Sequence, residues 1–184
     1  MARTESVMLA LGTSAPDFAL LDVITERQTT TQAVAEPKGL LVMFICRHCP
    51  FVKHLETALA QLGRDYEDSG IGIVAISSND AKNYPGDAPA SLAEQAGELR
   101  FAFPYLYDET QDVARAYDAA CTPDFFLFDG GLKLVYRGQF DDSRPGTGVP
   151  ITGKDLRAAM DALLAGTPIS RDQRPSVGCN IKWK

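Results

Sequence analysis

The chain has 184 residues, 45% hydrophobic and 23% charged, with a formal net charge of −6, enough for one globular domain with a sizeable core. The acidic balance removes any electrostatic case for nucleic acid or an anionic membrane surface as a partner. No apolar run approaches the roughly 20 residues that span a bilayer.

No internal repeat, low-complexity tract or linker interrupts the sequence, so residues 1–184 are read as a single domain, with a tail from about residue 166. The opening MARTESVMLALGTSAPDF has only a short apolar segment, Val7 to Leu11, preceded by an acidic residue. That is not the pattern of a secretory signal, and the expectation is a cytoplasmic protein. Four cysteines, at 46, 49, 121 and 179, are too few for a disulfide scaffold of this size. In a reducing compartment, paired cysteines are more often catalytic or metal-binding.

In chain order, Asp17 to Val23 reads as a short strand, with Gln28 to Gln32 returning beside it. The continuous apolar run Gly39 to Ile45 has the look of a buried central strand. From Pro50 to Leu62, Phe51, Val52, Leu55, Leu59 and Leu62 recur at helical spacing. Ile71 to Ile76 is a second buried strand, and SSNDAKNYPGDAP after it is a turn-rich loop. A helix from about Ala90 to Leu99, a short strand at Pro104 to Tyr107 and a helix from about Thr110 to Tyr117 follow. Asp124 to Phe128 and Lys133 to Gly138 flank Asp129-Gly130-Gly131, a hairpin signature. The last helix runs from near Thr152, a candidate N-cap, to Gly166. ISRDQRPSVGCNIKWK has no periodicity and is expected to pack as an extended tail. This alternation of strands and helices predicts an α/β three-layer sandwich with an N-terminal β-hairpin extension.

Chemistry concentrates at Cys46-Arg47-His48-Cys49. A thiolate is the nucleophile in disulfide exchange, and a helix start lowers a cysteine pKa through free N–H groups and the macrodipole. Cys46 falls at the predicted junction of strand and helix, with Cys49 about one turn on, close enough to attack a mixed disulfide at Cys46. Arg47, His48, Lys53 and His54 make a local basic cluster that includes both histidines of the chain. Other uses of these residues stay open. A structural zinc site normally wants four ligands at defined spacing. A copper or iron site is a second possibility, built on Cys46 and Cys49 with His54 or Cys121. Inert core thiols are a third, against which the intervening arginine and histidine argue.

Thr122-Pro123, at the start of the apolar strand in YDAACTPDFFLFD, adds a second landmark, since proline inside sheets keeps to strand starts and edges. A Cys-x-x-C after a central strand and a Thr-Pro opening a later one resemble the thioredoxin fold. GTSAPDFALLD resembles the start of its alkyl hydroperoxide reductase and thiol-specific antioxidant branch. With SSND, FPYLYDETQDVA, CTPDFFLFD, YRGQFDDSRPG and GCNIKWK, most of the chain resembles a bacterial, peroxiredoxin-like group of that superfamily. The resemblance implies a cis Thr122-Pro123 bond facing the redox pair and presenting the Thr122 backbone to an incoming peptide or thiol.

The chain departs from better-understood relatives. The Pro-x-x-x-Thr/Ser-x-x-Cys of peroxiredoxins falls on Val42 and Cys46 counted from Cys49, and on Gly39 and Met43 counted from Cys46, which argues against a dedicated peroxidase. Residues 39 to 45 lack the buried acid of thioredoxins. The histidine between the cysteines resembles the oxidising disulfide oxidoreductases.

The leading expectation is a thiol–disulfide oxidoreductase. Cys46 attacks, Cys49 resolves, and Arg47, His48 and the helix start stabilise the thiolate. Thr122 and Pro123 shape the groove, with Cys121 and His54 as accessory candidates. Tyr84, Pro85 and Asp87 would border the groove, while Arg144 belongs to another polar loop. The partners are thiols and disulfides of proteins or small molecules, with no cofactor beyond the disulfide itself. Metal binding and weak thiol-dependent peroxidase activity are the alternatives. Oligomeric state, the direction of electron flow and the role of Cys179 are not readable here.

Overall fold

The structure, a computed structural model, describes residues 3–184. Its elements run β1 (Arg3–Glu5), β2 (Ala19–Asp22), β3 (Gln28–Thr30), α1 (Thr31–Val34), β4 (Gly39–Phe44), α2 (Pro50–Asp65) and β5 (Ile71–Ser77). A 3-10 turn at Pro85–Asp87 leads into α3 (Pro89–Leu99), β6 (Tyr105–Tyr107), α4 (Asp112–Ala116) and β7 (Cys121–Thr122). The chain ends with β8 (Asp124–Asp129), β9 (Leu134–Gly138), α5 (Lys154–Ala165) and β10 (Val177–Asn180).

The main sheet carries the order β3-β2-β6-β5 on one side and β4-β8-β9 on the other. The two halves meet where the Ile45 N–H donates to the Ile76 carbonyl at 3.0 Å. β5 and β6 are parallel, whereas β4, β8 and β9 pair antiparallel. β4 is buried throughout, and its side chains divide by parity, as the twofold pleat requires. Leu41, Met43 and Ile45 join Val52, Leu55, Leu59, Leu92, Leu156 and Met160 in one core, under α2, α3 and α5. Leu40, Val42 and Phe44 join Val34, Ala114 and Tyr117 in the other, under α1 and α4. This is the expected three-layer sandwich, with β2 and β3 forming its N-terminal hairpin.

Two sequence expectations change. The C-terminal stretch is extended, but Val177–Asn180 are the central strand of a second sheet, order β1-β10-β7. The last long helix starts at Lys154 with Gly153, not Thr152, as its N-cap. Asp141 takes the Thr152 and Gly153 amides at 2.7 and 2.6 Å. Gly153 sits at φ +66°, where a Cβ would meet the Phe140 ring at 2.6 Å, so only glycine fits that turn without strain.

Candidate functional site

Cys46 lies just beyond β4, and Cys49 is the N-cap residue of α2 with Pro50 as the first helical residue. Proline suits that position because its missing N–H would be an orphan anyway. Val52, Leu55, Leu59 and Leu62 press α2 onto the sheet, fixing where its N-terminus points. Both cysteines are free thiols with no exposed surface.

The loop between them is held from across the sheet. Asp87, fully buried in the 3-10 turn, accepts the Arg47 N–H at 2.8 Å, the His48 N–H at 3.1 Å and the Asn79 amide at 2.8 Å. It also makes a short contact with His48 Nδ1. Tyr84 stacks on the His48 ring at 5.4 Å. Asp87 comes from the loop after β5, a region expected to border the groove.

Arg47 does not serve the thiols. Its guanidinium turns onto α3, donating to the Ser91 carbonyl and Glu94 at 2.7 Å each and to Glu98 at 3.3 Å. With three acceptors on one helix face, the guanidinium is engaged there and not, as expected, at the thiols. His48 stays at the site, with Asp87 orienting its ring.

The Thr122-Pro123 bond is cis, and Thr122 receives both cysteines. Its Oγ1 lies 3.4 Å from Cys46 Sγ, and its carbonyl accepts the Cys49 thiol at 3.2 Å. Its backbone is not presented to an incoming chain, however. β10 occupies that edge, with Cys179 opposite Thr122 in antiparallel register. Cys179 Sγ thereby comes within 2.7 Å of Cys49 Sγ. The strand that delivers it has four residues and no periodic signature, which is why the sequence left its role open.

The charge distribution also differs from expectation. The Cys49 pKa falls from 9.0 to about 5, chiefly through the Cys46 thiol; burial opposes this, and Cys179, Thr122 and the Val52 backbone add to the lowering. Cys46 is pushed well above 9.0 by burial first, then by Cys49 and Asp87. The lowering thus falls on Cys49, at the helix start, and the raising on Cys46. Burial, then Cys49, raises Cys179 to about 12. Asp124, directly after the cis-proline and fully buried, is held well above its ordinary value by desolvation. An acid opening the apolar run DFFLF was the signal that could have marked it.

Cys121 donates to the Pro123 carbonyl at 3.6 Å, and burial, then Asp124, raises its pKa, so it behaves as a small buried thiol. His54 lies on α2 beside a hollow lined by Pro123, Phe140 and Arg144, and its Nε2 has no hydrogen-bond partner among the described residues. Arg144 holds its own loop together, donating to Asp141 and Ser143 carbonyls and to Gln139 at 2.6 Å each. Among the described residues, the donor atoms within 4.8 Å of one another belong to Cys46, His48 and Asp87. The grouping with Cys49 and His54 or Cys121 expected from the sequence is not the one formed.

Residues 11–137 match the AhpC/TSA family. Over 137 residues the chain is 26% identical to the thiol-disulfide oxidoreductase ResA of Geobacillus kaustophilus, covering 73% of this chain and 74% of that protein. An uncharacterized conserved protein from the same organism has a crystal structure 55% identical in sequence, with a TM-score of 0.98 over 100% of this chain and 97% of that one. A putative thiol:disulfide interchange protein DsbE from Chlorobium tepidum, at 21% identity and a TM-score of 0.64 over 85% of this chain and 99% of its own, shares the fold.

Proposed function

The chain belongs to the AhpC/TSA family, and from that premise we propose that it is a thiol–disulfide oxidoreductase working through Cys46 and Cys49. The reading is carried by the convergence of both thiols on Thr122, at 3.4 and 3.2 Å, beside the cis Pro123. That places two sulfurs within reach of one another at a helix N-terminus, where one negative charge is stabilised. The identity with ResA proteins points the same way.

His48, oriented by Asp87, takes the Cys46 proton as a substrate disulfide arrives. Cys46 attacks one substrate sulfur and expels the other as a thiol. Cys49, its pKa lowered beside Cys46, gives up its proton and attacks the mixed disulfide at Cys46, releasing the second thiol and closing the Cys46–Cys49 bond. The partners are thiols and disulfides of proteins or small molecules. The protein acts in the cytoplasm, and the dithiol is the only redox group required.

Equilibration in graded dithiothreitol buffers, followed by alkylation and peptide mapping, tests this. A two-electron transition involving Cys46 and Cys49 is expected. A midpoint near about −270 mV marks a reductant and near about −120 mV an oxidant. Absence of a Cys46–Cys49 disulfide at every potential sinks the reading.

The grouping of Cys46, His48 and Asp87 favours one other reading, binding of a metal ion suited to thiolate and imidazole. Stoichiometric metal that shields Cys46 from alkylation until a chelator is added would replace the dithiol reading.

A further inference from the structure

Resting on that reading, we infer that Cys179 is a third redox thiol, and that Cys49 exchanges its disulfide between Cys46 on one side and Cys179 on the other.

The juxtaposition is built by the fold. β10 lies between β1 and β7, with Cys179 paired to Arg3 on one side and to Thr122 on the other. Thr122, which precedes the cis-proline and touches both cysteines of the pair, is thus also the strand partner of the third. The close approach depends on Gly178, where a Cβ would lie 2.0 Å from the Thr122 carbonyl oxygen. Cys49 and Cys179 sulfurs stand 2.7 Å apart, against about 2.05 Å in a disulfide. Both residues are buried, so exchange between them needs no access from solvent.

The step balances without a further oxidant. A substrate disulfide is reduced to two thiols as Cys46–Cys49 forms. The Cys179 thiolate then attacks Cys49 Sγ. The Cys49–Cys179 bond forms, the Cys46–Cys49 bond breaks, and Cys46 leaves as a thiolate and takes up the proton Cys179 gave up. The two oxidised forms are isomers. The inner one stores the oxidation equivalent behind β10 and returns Cys46 to its reduced state.

Tryptic cleavage after Lys and Arg places each of the four cysteines on its own peptide. The full chain is oxidised with glutathione disulfide across a series of potentials, alkylated and mapped without reduction. Wild type should give both the 46–49 and the 49–179 linked peptides, in a ratio constant across potentials because the forms are isomers. Oxidised Cys46→Ser should give 49–179, and Cys179→Ser should give 46–49 alone. Formation of 46–49 with no link to the Cys179 peptide, in wild type and in Cys46→Ser, overturns the inference and leaves the dithiol reading intact. A ratio that drifts with potential also overturns it. A 49–179 link without 46–49 at any potential overturns the dithiol reading instead.

Discussion

Asp87 accepts the backbone N–H of Arg47 at 2.8 Å from forty residues away in sequence, so one loop braces the turn that carries both cysteines of another. Replacing Asp87 by Ala leaves the half-buried Arg47 and His48 amides without their buried acceptor and frees the His48 ring. Each unsatisfied buried donor costs about 1–3 kcal/mol, and we expect a loss of about 2–4 kcal/mol in urea denaturation with slower insulin reduction. Asp87→Asn retains an acceptor and removes the charge. It should recover part of the stability while catalysis stays impaired, because the His48 ring loses its anionic partner. Full activity in Asp87→Asn would show that His48 orientation is not used.

The Cys46 thiol lowers Cys49 from 9.0 to about 5, so Cys49 is expected to turn from thiol to thiolate near that pH. Ultraviolet thiolate absorbance of the reduced protein should rise through a midpoint near 5, and Cys49→Ser should abolish that rise. Cys46→Ala removes the main donor to Cys49 and should shift the midpoint upward, toward 9. A midpoint that survives Cys49→Ser unchanged would assign the charge to Cys46 after all.

Much of this site was legible because its signals are local. The all-apolar Gly39–Ile45 run, the helical spacing behind Pro50 and the Thr-Pro before an apolar strand each sit within a few residues, where periodicity and proline chemistry operate. What was not legible depends on pairing across the chain. Arg47 reads as a thiolate partner until α3 brings Glu94 and Glu98 to its guanidinium. β1 and β10 have three and four residues, too few to show alternation, and their pairing carries Cys179 from 130 positions away. Thr152 looked like a helix cap because Asp141, eleven residues earlier, was not visible as the competing acceptor.

Asp124 supplies a stability prediction with a definite sign. Burial holds its folded pKa well above 3.8. Below pH 3.8 folded and unfolded chains both keep the proton, and its stabilising contribution is whole. As pH rises toward the folded pKa, the unfolded chain ionises first and that contribution is lost, by at most about 1.4 kcal/mol per pH unit. Asn does not titrate and keeps an acceptor for the Phe125 N–H, now at 3.1 Å. Asp124→Asn should therefore gain stability relative to wild type as pH rises above about 3.8, read from denaturation midpoints. A difference that is flat in pH would mean the carboxylate is ionised in the fold.

Gly178→Ala tests the approach of β10 directly. The added methyl meets the Thr122 carbonyl oxygen at 2.0 Å and its carbon at 2.6 Å. These are backbone atoms of a paired strand, which cannot swing aside as a side chain would. Overpacking of this kind costs about 1–3 kcal/mol, and here the relief is displacement of β10 away from β7. Cys179 should then leave Cys49, become alkylated faster in the reduced protein and lose its link to Cys49 on oxidation. The 46–49 disulfide, held by α2 and the Asp87 brace, should still form. If β10 instead stayed in place, the Cys179 alkylation rate would match wild type, and Gly178 would not be what sets the distance between the two sulfurs.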